Sequence, residues 1–137
     1  MNFSVWSNSV IGKPFELGKV DCFRLVFDYL QECGLRLPEE YKGLAMPDYA
    51  HAYLQNREGL IQKAIAYMSE YLKELEIHQA FTGDILVVKL RWFEALPISF
   101  GIDGGNGIII SVTEKMGVIP IEKKLYNIMR VFRCQSR

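Results

Sequence analysis

The chain has 137 residues, 16 basic side chains against 16 acidic ones with no long block of either sign, and 50% apolar residues. That length fits one domain, 1–137, with enough chain to bury a core. The balanced charge lacks the footprint of a nucleic-acid binder, and no apolar stretch approaches the roughly 18 continuous residues of a membrane span. Residues Met1 to Trp6 carry neither the basic start nor the apolar core of a signal peptide. The cysteines, at 22, 33 and 134, are odd in number and widely spaced, which predicts a chain made in a reducing cytoplasm without a disulfide framework. There is no Cys-x-x-Cys pair and the only histidines are His51 and His78, so neither a metal site nor a cofactor is expected.

In chain order, the Gly/Pro-rich approach from Gly12 to Val20 ends at Asp21-Cys22, and an apolar run from Phe23 to Leu30 follows. This layout predicts a loop leading to a helix over 21–34, with Asp21 as its N-cap and Cys22 in its first turn. A thiol there meets unpaired backbone N–H groups and the positive end of the helix dipole, which favour its thiolate. The competing reading is packing: Cys22, Leu25, Val26, Tyr29, Leu30 and Cys33 recur at helical spacing. Gly34 and Pro38 stop the helix. Pro47 opens a short helix through Leu54, and Asn56 starts another whose apolar face runs from Leu60 to about Leu75.

Thr82-Gly83-Asp84 then breaks the helical period. The β-branched-rich run from Ile85 to Val88 predicts a buried strand, and Pro97 to Asp103 a second. Gly104-Gly105-Asn106-Gly107 is read as a hairpin turn rather than a phosphate cradle, since no helix follows it. Ile108 to Thr113, Met116 to Ile121 and Ile128 to Phe132 complete a five-stranded antiparallel sheet. Helices first and hairpins afterwards predict an α+β domain. Asp84 and Asp103, at strand ends, are read as turn formers. Trp92 and Phe93, beside Arg91 and Glu94, fall in a loop and fit an exposed partner-binding tip and a core-covering aromatic pair equally well.

Taken together, Gly12-Lys13-Pro14-Phe15, Asp21-Cys22-Phe23-Arg24-Leu25-Val26 and Gly34-Leu35-Arg36-Leu37-Pro38 resemble the opening of an NlpC/P60 cysteine peptidase. That opening typically reads Gly-x-Pro-Tyr, Asp-Cys-Ser-Gly-Leu-Val and Gly-x-x-Leu-Pro. Thr82 to Val88 resembles the family's Gly-Asp-Leu-Val strand, and Phe100 to Gly107 its Val-Gly-Ile-Tyr hairpin and Gly-Asn-Gly turn. The helical insert at about 47–76 and the closing Leu125 to Arg133 look most like the cell-wall peptidases of phage tail modules and gene transfer agents. The resemblance implies a papain-like fold with Cys22 at the nucleophile position and Phe15, Asp21 and Arg24 lining the substrate cleft. It also implies a tail-tip or baseplate-hub protein made in the bacterial cytoplasm and carried in the virion. Its partners would be other phage tail and baseplate proteins, with peptidoglycan as a further partner.

The departures bear on chemistry. Where the family has its histidine this chain has Ser99, and the second polar position of the family is Ser111. The Ser-Gly after the cysteine is Phe23-Arg24, so Arg24 is expected to crowd the approach to the thiol. Amide hydrolysis by a thiol needs a thiolate to attack and an acid to protonate the leaving amine, and one positioned imidazole does both. A serine hydroxyl does neither near pH 7. Neither His51 nor His78 matches the family position. Two functions follow: a degenerate peptidase fold kept as a structural or binding component, or an active endopeptidase that cuts peptidoglycan stems through Cys22.

Overall fold

The computed structural model describes residues 1–36, 38–41, 44–45, 49–91 and 98–136, with the side chains of 44, 45, 135 and 136 left aside. Helix α1 (Phe3–Val10) opens the chain, capped by the Asn2 side chain, which accepts the Val5 amide at 3.1 Å. Helix α2 (Cys22–Glu32) follows, and then a two-stranded hairpin, β1 (Glu40–Tyr41) with β2 (Leu44–Ala45). Helices α3 (Ala50–Gln55) and α4 (Arg57–Tyr71) meet at Asn56, which caps α4 through the Gly59 amide. The large sheet takes β3 (Leu72–Leu75), β4 (Ile85–Leu90), β5 (Ser99–Gly105), β6 (Ile108–Thr113), β7 (Gly117–Glu122) and β8 (Tyr126–Ser136).

The order across this sheet is β3-β8-β4-β5-β6-β7, every neighbouring pair antiparallel. The fold is therefore α+β, with four helices and a six-stranded antiparallel sheet among the described residues. The large sheet has one strand more than the periodicity predicts, and β1 and β2 form a further pair that it did not predict. The apolar face of α4 was expected to run on to Leu75, but the helix ends at Tyr71 and Leu72–Leu75 becomes the edge strand β3. The reason is tertiary: β3 pairs with the far half of β8, so that Glu74 lies opposite Phe132, while Leu72 is completely buried. An intrahelical ladder has been exchanged for an interstrand one.

Helix α1 was not anticipated, and it protects the other edge. The segment after it lies along β7: the Gly12 amide donates to the Val118 carbonyl at 2.8 Å and the Val118 amide to the Lys13 carbonyl at 2.9 Å. This approach explains why β7 starts at Gly117 rather than Met116. Gly117 has φ +73°, and a Cβ there would stand 2.0 Å from the Lys13 carbonyl oxygen. Edge pairing of this kind also removes free strand groups that invite association.

The β5–β6 turn is the expected hairpin, with Gly105, Asn106 and Gly107 all at positive φ. Both flanking carboxylates act as turn formers. Asp103 accepts the Gly105 amide at 2.8 Å and Lys123 Nζ at 2.7 Å; Asp84 accepts the Phe81 amide and a two-pronged ion pair from Arg133. One face of the sheet presents Ile85, Val87, Phe100, Ile102, Ile110 and Phe132 to the helices, and this is the main core. The opposite face carries a smaller cluster of Leu86, Val88, Ile109, Tyr126 and Val131. The single apolar run of β4 thus serves two cores. Among the described residues no helix is long and apolar enough to cross a membrane. Pro47, Trp92, Phe93 and Glu94 lie outside the described residues, and the second predicted strand begins at Ser99 within them.

Candidate functional site

The site is built on the N-terminus of α2. Asp21 has an extended backbone and a side chain only 2% exposed, with three donors converging on it. Oδ1 accepts the Arg24 amide at 2.8 Å, the N-cap bond; Oδ2 accepts the Gly18 amide at 2.7 Å; and the Tyr49 hydroxyl donates to Oδ1. The tight loop that brings Gly18 into reach is closed by the Glu16 and Val20 backbones, which bridge each other. Sequence alone identifies the cap. The Tyr49 bond, from 28 residues away, leaves no local signal.

Cys22 is the first residue of the helix and is 8% exposed. The β5–β6 ladder is paired from Ile102↔Ile110 towards the turn, and the thiol sits beside the start of β5, beyond that pairing. Here the Ser99 side chain and the Phe100 backbone hydrogen-bond to the sulfur. Both favour the thiolate, as does the charge of Arg57, but burial outweighs them and Asp21 adds to it. The thiol is held above its ordinary 9.0, protonated near neutral pH. The helix-dipole argument predicted the opposite direction; desolvation is the larger effect.

Cys22 and Ser99 therefore meet. Ser111 does not join them: it is 2% exposed, alternates onto the face it shares with Ile109, and donates its hydroxyl to the Phe100 carbonyl at 2.8 Å. Phe15 is half-buried in the loop between α1 and α2. Arg24, expected over the thiol, folds back instead. Its Nε donates to the Gly18 carbonyl at 3.3 Å, its guanidinium lies 5.3 Å from the Tyr49 ring centroid, and Asp28 is 4.0 Å away. The cation that does act on the sulfur is Arg57, from the first turn of α4. Its guanidinium stands 5.1 Å over the Tyr53 ring, and its buried Nε has no hydrogen-bond partner among the described residues. Arg57 and Tyr53 belong to the helical segment that sequence reading treated as an insert.

Both histidines are exposed, His51 on α3 and His78 in a short 3₁₀ turn before β4. The groups with the largest effect on the Cys22 thiol are Ser99, Asp21, the Phe100 backbone and Arg57, with neither imidazole among them. Among the described residues no three His, Cys, Asp or Glu side chains converge to hold a metal.

A family model described as a domain of unknown function, DUF6950, matches residues 2–134. The chain belongs to the DUF6950 family. No curated protein matches it. In this DUF6950 chain the α2 N-terminus carries a buried thiol with no imidazole beside it among the described residues. Phe23, fully buried, fills the space beside it, with Tyr49, Tyr53 and Phe100 rings at 5.5, 5.9 and 5.2 Å. That packing is worth on the order of 3 kcal/mol, and it fixes the helix end whether or not chemistry occurs there.

Proposed function

We propose that this chain is an NlpC/P60-like, papain-like scaffold from a phage tail tip or baseplate hub whose peptidase centre has become a structural or binding element. The observation that carries the reading is the environment of Cys22: a buried thiol held protonated, with Ser99 as its partner and both imidazoles exposed elsewhere. Hydrolysis needs a proton acceptor at the sulfur and a donor for the leaving amine, and a serine hydroxyl supplies neither. The motif order along the chain supports the scaffold, and the Asp21 cluster and the Phe23 ring contacts supply a reason for the helix end to persist without activity. In this reading the neighbouring molecules are other tail proteins, and peptidoglycan is a ligand of the old cleft.

The test is turnover on purified peptidoglycan by wild type, Cys22→Ala and Ser99→His. The expected result is no release of stem peptides by any of the three. Ser99→His alone restores nothing, because Ser111 is committed to the Phe100 carbonyl and cannot orient an imidazole. Wild-type cleavage that disappears in Cys22→Ala would overturn this reading in favour of an active endopeptidase.

A further inference from the structure

The two cysteines outside the candidate site lie together. Cys33 is the C-cap of α2, held by a complete helix-ending motif: the Leu35 amide donates to the Leu30 carbonyl and the Gly34 amide to the Gln31 carbonyl, both at 3.0 Å, with Gly34 at φ +92°. Cys134 lies on β8, two residues beyond Phe132. Alternation therefore turns it to the same helix-facing side of the sheet. Arg133, between them, is pinned by its ion pair with Asp84, at 2.9 and 3.0 Å. Two rigid elements converge here: Tyr29, one turn before Cys33 on the same face of α2, donates its hydroxyl to the Gly83 carbonyl at 2.7 Å, and the β4–β8 register, which pairs Ile85 with Phe132, carried two residues on sets Cys134 across from Gly83. The two thiols act on one another there, and the Tyr29 hydroxyl acts on Cys33 as well. Both cysteines are only half-buried, whereas Cys22 is buried.

We propose that Cys33 and Cys134 are a redox-active pair that closes to an intramolecular disulfide by exchange with a low-molecular-weight disulfide, clamping the end of β8 to the end of α2. The Cys33 thiolate attacks one sulfur of the external disulfide, forms a mixed disulfide and releases one thiolate. Cys134 then loses its proton to solvent and attacks the Cys33 sulfur, forming the internal bond and releasing the second thiolate. The protein is oxidised by two electrons and the external disulfide is reduced to two thiols. Cys33 is the attacking group because its hydrogen bond from Cys134, and then that from Tyr29, bring its thiol down to about 7. The same contact holds the Cys134 thiol up. Cys22 is no competitor: it opens the 11-residue helix that Cys33 caps, which sets the two about 16 Å apart along the axis. The bond closes a loop of roughly 100 residues, the regime in which a crosslink most restricts the unfolded chain.

The experiment incubates the reduced full chain with oxidised glutathione and follows intact mass, disulfide-linked peptides and Tm, with Cys33→Ser and Cys134→Ser alongside. The expected result is loss of two hydrogens from the monomer, a linked pair of peptides carrying Cys33 and Cys134, and a Tm raised by roughly 5–15 °C. Cys134→Ser should stop at a glutathione adduct on Cys33, and Cys33→Ser should react at least about tenfold more slowly. A wild type that keeps glutathione on Cys33 without closing would overturn the proposal, as would a link between two copies or to Cys22, or an oxidised monomer with unchanged Tm.

Discussion

The two ends of α2 carry thiols of opposite character. At the N-terminal end, Cys22 has the features that favour a thiolate, a helix start and hydrogen-bond partners in Ser99 and Phe100, and is nonetheless held protonated. At the C-terminal end, Cys33 sits where the helix dipole opposes a negative charge, and its thiol is lowered to about 7. The difference is solvent and the partner: full burial against half-burial, and a serine hydroxyl against a second thiol. Position on a helix is thus a weak predictor of cysteine reactivity beside desolvation and the first contact of the sulfur.

The largest expected effect comes from removing the group that closes the N-terminal end. Asp21→Ala strands the Arg24 and Gly18 amides and the Tyr49 hydroxyl together, and should cost about 3–5 kcal/mol in urea unfolding. The same substitution should admit alkylating reagent to Cys22. A loss below about 1 kcal/mol would mean that the carboxylate cluster does not hold this end closed. Next in size is the contrast in the wild type itself. Near pH 7.5, iodoacetamide should modify Cys33 roughly 100-fold faster than Cys22, as followed by peptide mass spectrometry. Equal rates would erase the distinction between the two ends.

The smallest effect is on stability against pH, a shift of only a few degrees in Tm. Between about 7 and 9.0, Cys33 is deprotonated when folded and protonated when unfolded. Unfolding then takes up a proton, so stability rises with pH across that window. Cys22 and Cys134 are held protonated in the fold above 9.0, so unfolding releases their protons and stability falls as pH rises further. The thiols together place a maximum close to 9.0. A Tm series should show Cys33→Ser losing the rising limb and keeping the falling one.

What was legible in the residues was local. The Asp21 cap, the first-turn place of Cys22, the Asn56 start, the break at Thr82-Gly83-Asp84 and the hairpin at Gly104 to Gly107 each depend on a few neighbouring groups, and each was readable for that reason. The five strands read from residues 85–132 were readable because β-branched runs and turn residues alternate there. Leu72–Leu75 was misread as helix because its leucines continue the spacing of Met68 and Tyr71. Nothing nearby reveals that β8 extends far enough to offer it a ladder. The Arg24 expectation failed in the same way, since the Gly18 carbonyl and the Tyr49 ring that draw the guanidinium away are contacts of the folded loop.

By itself, then, the sequence determined the α+β order of elements, the cap that aims Cys22 into the fold and the absence of an imidazole at the Ser99 position. The tertiary structure alone decided the protonation of that thiol, the charge that reaches it from Arg57, the sixth strand and the meeting of Cys33 with Cys134. Each of these depends on which atoms exclude water from a group or stand beside it. Chain neighbours set a helix cap or a turn, whereas desolvation and contact between residues a hundred positions apart exist only once the chain has packed.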